Sequence, residues 1–123
     1  MSISMTSPGI YLAYPTTPEL KPIYPCYKTL VNGEHTKLGI ARRSFQDRER
    51  QYIRTFQGEV LFHPVLQMAP AHLSEFEARV LAQLTPRYPK SGRAREWFHT
   101  AERQAIAELV MLVCKEFQPG QTG

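Results

Sequence analysis

The sequence predicts one compact domain of mixed α/β structure. Three observations support this: a strand–turn–helix pattern over residues 36–56, an Asn-Gly pair between two β-type segments, and two amphipathic segments in the C-terminal half. The chain has 123 residues, 42% of them hydrophobic and 21% charged, which suffices for one hydrophobic core. We therefore expect a single domain over residues 9–117, a flexible N-terminus at 1–8 and a frayed tail at 118–123.

The first half of the chain predicts three strands. Gly9–Tyr14 alternates and is rich in residues that favour β-structure. Ile10, Leu12 and Tyr14 share one face of this strand, and Tyr11 points to the other face with Ala13. Asn32-Gly33 lies between two further β-type segments, Tyr27–Val31 and Glu34–Ile40. Because both turn positions of such a hairpin need positive φ, the pair predicts that these two segments form a hairpin.

Proline and glycine shape the segments around these strands. The proline-rich segment Pro15–Pro25 predicts a loop, since proline cannot donate to the ladder of an interior strand. Gly58 is expected to end a helix, and the apolar segment Glu59–Met68 predicts a further strand. Pro64 indicates that this strand lies at an edge or is interrupted.

Three segments have the apolar spacing of amphipathic helices: Phe45–Phe56, Leu73–Leu84 and Glu96–Phe117. Capping-box spacing occurs twice, in Ser44 with Asp47 and in Ser74 with Glu77. The apolar face of the last helix is predicted to comprise Ala105, Ile106, Leu109, Val110, Val113 and Phe117.

The net charge of +4 is concentrated in two basic patches. One lies between Lys37 and Arg54 and includes Arg42 and Arg43. The other comprises Arg87, Lys90, Arg93 and Arg95. Patches of this kind suit a polyanion such as nucleic acid, although a surface without any partner can have the same composition.

The composition also excludes several classes. No apolar run approaches the roughly 18 residues that span a bilayer, and the N-terminus lacks the features of a signal peptide, so we expect no membrane association and a cytoplasmic location. Cys26 and Cys114 form no C-x-x-C motif and are expected to be reduced. The four histidines lack the spacing of a zinc site.

Two charged residues fall on apolar helix faces. Arg48 lies one turn before Tyr52, where it either extends past Phe45 to water or joins a site. Glu77 lies within the apolar stripe of the second helix. A buried, unpaired carboxylate costs several kcal/mol, so Glu77 needs a cation, a metal ion or a capping partner such as Ser74.

These residues suggest a hydrolytic site if they converge at one end of the sheet. Hydrolysis of a phosphodiester needs a metal-binding carboxylate, a phosphate-binding arginine and a proton acceptor. The candidates are Tyr11, Lys37, Arg48, Tyr52 and Glu77. A tyrosine in a strand can equally serve packing alone.

The same residues resemble the GIY-YIG nuclease superfamily. Gly9-Ile10-Tyr11 matches its first motif, and Lys37-Leu38-Gly39 is similar to the second motif in the K-I-G form of the phage-derived branch. Arg48, Tyr52 and Glu77 are similar to the family's helix arginine, its following histidine or tyrosine, and its metal-binding glutamate. Arg95-Glu96-Trp97-Phe98 is similar to the E-W-F motif of that branch.

The resemblance implies a small three-stranded antiparallel sheet flanked by helices and a metal-dependent DNA endonuclease. One Mg²⁺ or Mn²⁺ would be held mainly by Glu77. Tyr11 or Lys37 would manage the proton, Arg48 would bind the scissile phosphate, and Tyr52 would orient water or phosphate. The basic residues Arg42, Arg43, Arg87, Lys90, Arg93 and Arg95 would contact the nucleic-acid backbone.

The sequence also departs from the family pattern. Lys37 replaces the tyrosine of the second motif, and the asparagine that many members carry after the glutamate is missing, since Asn32 is the only asparagine. Two alternatives stay open: a non-cleaving nucleic-acid-binding module on the same fold, and a protein-interaction domain. The chain has little room for a separate reader domain, so sequence specificity would come from a homodimer or a targeting partner protein.

Overall fold

The computed structural model describes residues 3–22, 30–56, 58–89 and 97–117. Its strands are β1 (Gly9–Pro15), β2 (Lys21–Pro22), β3 (Leu30–Val31), β4 (Thr36–Ala41), β5 (Val60–Gln67) and β6 (Trp97–Phe98), and its helices are α1 (Phe45–Phe56), α2 (Pro70–Leu84) and α3 (Arg103–Glu116). The main sheet is antiparallel, with strand order β5-β1-β4-β6. The predicted α/β class is confirmed, and the sheet has four strands where three were expected.

Strand β1 is the central strand of the sheet and is buried on both faces. Ile10 and Leu12 pack in one cluster with residues of α2 and α3. Tyr11 and Ala13 pack in a second cluster with residues of α1. The alternation predicted for this strand is therefore confirmed, and it places one helix on one face of the sheet and two on the other.

Helix α1 has the predicted bounds because local signals define both of its ends. The backbone N–H of Asp47 donates to Ser44 Oγ at 3.1 Å, which caps the first turn. Phe45 and Tyr52 are buried on the inward face. Gly58 adopts a φ of +80° just beyond the last turn, a conformation that glycine tolerates best.

The predicted Asn-Gly hairpin is wrong. The N–H of His35 donates to the carbonyl of Asn32 at 2.9 Å, so Gly33 and Glu34 occupy the centre of the turn, and Gly33 does not have a positive φ. The Asn32 side chain accepts from the N–H of Glu34, and an Arg103 guanidinium donates to the Gly33 carbonyl. These contacts hold the turn against α3, and β3 pairs with β2 instead of β4. The predicted loop Pro15–Pro25 thus contains the short strand β2.

Helix α2 begins at Pro70, three residues before the predicted start at Leu73. Proline is tolerated at the first helical position because its missing N–H has no partner there. Ala69 precedes it as the cap residue and makes no side-chain capping bond. The predicted capping box of Ser74 and Glu77 is therefore wrong, since both residues lie inside the helix.

The segment predicted as one helix, Glu96–Phe117, is divided into a strand and a shorter helix. Trp97 and Phe98 form β6, and both side chains are buried beside β4. The Thr36 hydroxyl donates to the Thr100 carbonyl at 2.8 Å, which closes the connection to α3. The predicted apolar face of α3 is otherwise buried, but Ala105 is exposed.

Several predictions fall on residues outside the described ranges: Cys26, Tyr27–Thr29, Lys90, Arg93, Arg95 and Glu96. Cys114 carries a half-buried free thiol. Of the helices in the described ranges, none has the length and apolar character needed to cross a bilayer.

A pair of stacked imidazoles joins the region of β4 to that of β6. The rings of His35 and His99 lie 4.6 Å apart at an angle of 9°. His35 is buried, and the N–H of Asn32 donates to its Nδ1 at 3.1 Å. Burial, followed by the charge of His99, lowers the pKa of His35, while donation to the Asn32 backbone and the charge of Glu34 act in the opposite direction.

The lowered pKa predicts acid destabilisation. Because the folded state takes up the His35 proton less readily than the unfolded chain, its stability should be greatest above the ordinary value of 6.5 and fall as the pH drops below it. Urea unfolding at about pH 7.5 and about pH 5.5 measures the difference in the free energy of unfolding between these two conditions. It should shrink in His35→Gln and persist in His63→Gln, which alters an exposed histidine on β5. An equal pH dependence in both variants would contradict the assignment.

Candidate active site

Two tyrosine hydroxyls meet between β1 and α1. The Oη atoms of Tyr11 and Tyr52 lie 2.7 Å apart, and their rings make an edge-to-face contact with centroids 5.6 Å apart. Tyr11 also stacks on Phe62 of β5, with centroids 4.4 Å apart. Tyr11 is 1% exposed and Tyr52 is 5% exposed. The first-motif tyrosine is therefore part of the packed contact between the sheet and α1.

Gly39 makes room for this tyrosine pair. In the ladder between β1 and β4, Tyr11 is paired with Gly39. A Cβ atom at Gly39 would overlap with Cζ and the hydroxyl oxygen of the Tyr11 ring. The glycine of the second motif is thus needed because the ring crosses directly over the backbone of β4.

Lys37 lies two residues before Gly39 on β4, so these two residues are on the same face of the strand. Its Nζ lies 5.3 Å from the centroid of the Tyr52 ring, and the side chain is half-buried. An ammonium group over an aromatic ring is attracted by the electrons of the ring face. The structure therefore brings together three predicted site residues: Tyr11, Lys37 and Tyr52.

Arg48 lies on α1, one turn before Tyr52, and is half-buried. Its guanidinium donates to the carbonyl of Ile40 at 3.3 Å and to Gln51 Oε1 at 2.9 Å. Arg48 is therefore bound to the end of β4, and the alternative in which it only extends to water is not what the structure shows. These bonds come from Nη1 and Nη2, and a guanidinium has further N–H groups that can donate to a phosphate.

Arg48 also lines a basic cleft of about 560 Å³ beside α1. We call this the arginine cleft, and its lining comprises Ala41, Arg42, Arg43, Ser44, Asp47, Arg48, Arg50, Gln51 and Arg54. Arg42 and Arg43, both predicted to contact nucleic acid, thus lie in the same cleft as the predicted phosphate ligand. Arg87 is exposed just after α2.

Glu77 is carried by α2, which packs on the face of the sheet opposite to the tyrosine pair. It is half-buried in the middle of that helix. The Arg42 guanidinium donates to Ser74 Oγ at 2.6 Å, one helical turn before Glu77. A site that joins Glu77 to the tyrosines must therefore form around the end of the sheet where α1 and α2 both begin.

The residues present restrict how a metal ion could be held. Within the described ranges, no three or more His, Cys, Asp or Glu side chains gather in one place. Mg²⁺ commonly takes one or two carboxylates and completes its octahedral shell with water and substrate phosphates. One carboxylate, such as that of Glu77, is compatible with that pattern, but a closed zinc site is not formed by the described residues.

Arg50 and Arg54 were not among the predicted contacts to nucleic acid, although both belong to the basic patch between Lys37 and Arg54. The structure shows both side chains exposed on α1 and lining the arginine cleft. Their spacing of four residues, which places two like charges on one helix face, is the signal that points to them.

Comparisons with known proteins give no independent identification. No family model matches the sequence, and neither a curated protein nor a solved structure matches it. The resemblance to GIY-YIG nucleases therefore depends on the sequence motifs alone.

The contact between Gly39 and Tyr11 predicts that Gly39→Ala destabilises the protein. Overpacking of a core contact costs about 1 to 3 kcal/mol. The matched control is Gly33→Ala, because a Cβ there meets its nearest atoms at 3.5 Å and φ is not positive. Urea unfolding measures both variants. An equally small loss of unfolding free energy in both variants would show that β4 can move away from the Tyr11 ring.

The tyrosine pair predicts an energetic coupling between two hydroxyl groups. Tyr11→Phe and Tyr52→Phe should each destabilise the fold, and the double variant should lose less than the sum, because the shared bond is removed only once. The expected coupling energy is about 1 kcal/mol. Urea unfolding of the two single variants and the double variant measures it. Additive losses would mean that the hydroxyls do not stabilise each other.

Proposed function

We propose that the protein is a metal-dependent endonuclease that hydrolyses phosphodiester bonds of DNA. The observation that carries this proposal is the grouping of Tyr11, Lys37 and Tyr52, with Arg48 one turn away at the arginine cleft. The motif resemblance singles out these four residues together with Glu77. A cytoplasmic location with reduced cysteines is part of the proposal.

In the proposed reaction Arg48 binds the scissile phosphate. A guanidinium offers fixed N–H donors that match two phosphate oxygens and stabilise the charge that develops on them. Its bond to the Ile40 carbonyl orients the group before the substrate arrives, which lowers the entropy lost on binding.

Proton transfer involves the hydroxyl pair and Lys37. Tyr11 is 1% exposed, so it does not reach a substrate directly, but its hydroxyl lies 2.7 Å from that of Tyr52. In the Tyr11 route, a Tyr11 phenolate accepts the hydroxyl proton of Tyr52 while the Tyr52 oxygen takes one from the attacking water. In the Lys37 route, a neutral Lys37 amine accepts the proton instead. Both Tyr11 and Lys37 therefore remain candidates for the base.

Glu77 would hold a single Mg²⁺ or Mn²⁺. When bound, such an ion lowers the pKa of a coordinated water molecule and neutralises phosphate charge. The bond between Arg42 and Ser74 brings a cationic group of the arginine cleft to within one turn of Glu77, which supports a shared substrate. Sequence selection would come from a homodimer or a targeting partner protein.

A non-cleaving nucleic-acid-binding module is the second candidate. Two observations favour it: the burial of Tyr11, and the location of Glu77 on a helix that packs on the other face of the sheet. This candidate needs the arginines alone, so it differs from the endonuclease in requiring neither Glu77 nor a metal ion.

Glu77→Gln separates the two candidates. We expect it to lower metal-dependent cleavage of labelled DNA at least ~100-fold and to change the dissociation constant less than about fivefold, because the metal ligand is lost while the arginines remain. The assay uses Mg²⁺, Mn²⁺ or EDTA with single- and double-stranded DNA.

The matched control is Glu75→Gln, which removes an exposed carboxylate two residues away on the same helix. It should cleave like the unmodified protein. Binding without cleavage under any metal would favour the non-cleaving module. A Glu77→Gln protein that has lost its helical circular dichroism would instead show that this carboxylate stabilises the fold.

A further inference from the structure

The arginine cleft concentrates the positive charge of the protein. Five arginines and one aspartate line it, a net charge of +4, which equals the formal net charge of the entire chain. The rest of the chain therefore has a formal net charge of zero, with ten basic and ten acidic residues. Like charges gathered in one cleft repel one another, and a bound polyanion relieves that repulsion.

The five arginines divide into two groups. Arg42 is bonded to Ser74, and Arg48 is bonded to Ile40 and Gln51, so these two are fixed by the protein. The other three, Arg43, Arg50 and Arg54, are exposed, and within the described ranges their side chains form neither a hydrogen bond nor an ion pair. Their donors are free for a ligand outside the fold.

The backbone at the start of α1 does not supply this site. The N–H of Phe45 donates to the Ser7 carbonyl at 2.9 Å, and the N–H of Gln46 donates to the Met5 carbonyl at 2.8 Å. The N–H of Asp47 is bonded to Ser44 Oγ. Residues 3–8, predicted to be flexible, thus occupy amides that would otherwise attract an anion. Guanidinium groups remain as the donors in the cleft.

The spacing of these groups suits several phosphates. Arg48 to Arg54 spans about 9 Å along the helix axis, at about 1.5 Å per residue. Phosphates of one DNA strand are spaced about 3.4 Å apart along the axis, so this length corresponds to about three of them. An isolated phosphate covers only one such interval, whereas a nucleic-acid strand presents phosphates along the whole of this length.

We propose that the arginine cleft binds the sugar-phosphate backbone of a nucleic-acid strand next to the scissile phosphate, with Arg50 and Arg54 as contacts that do not depend on base sequence. The inference rests on the proposed function for the position of the scissile phosphate at Arg48. The binding itself requires no cleavage.

The test measures DNA binding by fluorescence anisotropy in EDTA over about 50 to 200 mM salt. The variants are Arg50→Gln, Arg54→Gln and their combination. In the combined variant the slope of log affinity against log salt should fall by about 1.8 for a duplex and about 1.4 for a single strand. The affinity lost between about 50 and 200 mM salt should then be about tenfold smaller than for the unmodified protein.

Lys115→Gln is the control, because Lys115 is exposed on α3, away from the cleft. It should leave the slope unchanged. A duplex and a single strand of two unrelated sequences distinguish backbone binding from base reading, since the loss should be equal across sequences. An unchanged slope in the combined variant, or an equal loss in Lys115→Gln, would overturn the inference.

The outcome is independent of the nuclease assay. If the unmodified protein binds DNA without cleaving it, and the combined variant has the expected smaller slope of log affinity against log salt, the proposed endonuclease fails and this inference stands. If the unmodified protein cleaves DNA and the combined variant binds as before, the inference fails and the endonuclease stands. A protein that binds neither form of DNA contradicts both.

Discussion

The close approach of the Tyr11 ring to the backbone of Gly39 is the constraint on which the rest of the structure depends. The ring crosses β4 at a position where a Cβ atom cannot be accommodated, and its hydroxyl contacts that of Tyr52 on α1. This contact sets the distance between α1 and the sheet. With α1 fixed in this way, Arg48 reaches the Ile40 carbonyl and Lys37 lies over the Tyr52 ring. Packing and candidate chemistry therefore use the same side chains.

Arginine has two different roles in this protein. Arg103 is largely structural, because it stacks on Tyr14 with its guanidinium carbon 3.7 Å from the ring centroid and donates to the Gly33 carbonyl. Arg42 and Arg48 join secondary-structure elements and also face the arginine cleft. Arg50 and Arg54 contribute charge to the cleft and are not bonded within the described part of the chain. The cost of gathering like charges is consistent with a ligand that carries many negative charges.

The end of the sheet at Gly9 is where the two halves of the candidate site approach each other. Gly9 is paired with Ala41 on one side and Gln67 on the other, and α1 and α2 follow these two residues in the chain. The bond between Arg42 and Ser74 connects the two helices across this end. A cleaving enzyme needs a substrate phosphate that reaches both Arg48 and Glu77 here, whereas a binding module needs the arginine cleft alone.

The sequence by itself determined the elements whose signals are local. The bounds of α1 follow from Ser44 and Gly58, and the division of the β1 side chains between two faces follows from its period of two. Tertiary contacts decided the remainder. Arg103 holds the Asn32 turn against α3. Trp97–Phe98 is a strand because it pairs with β4. Arg42 donates a hydrogen bond to the Ser74 hydroxyl, which was expected to cap a helix. For the candidate site, motif spacing identified Tyr11, Lys37, Tyr52 and Arg48. The arginine cleft could not be predicted, because a helical wheel shows which side chains face solvent but not which other elements present charges to the same space.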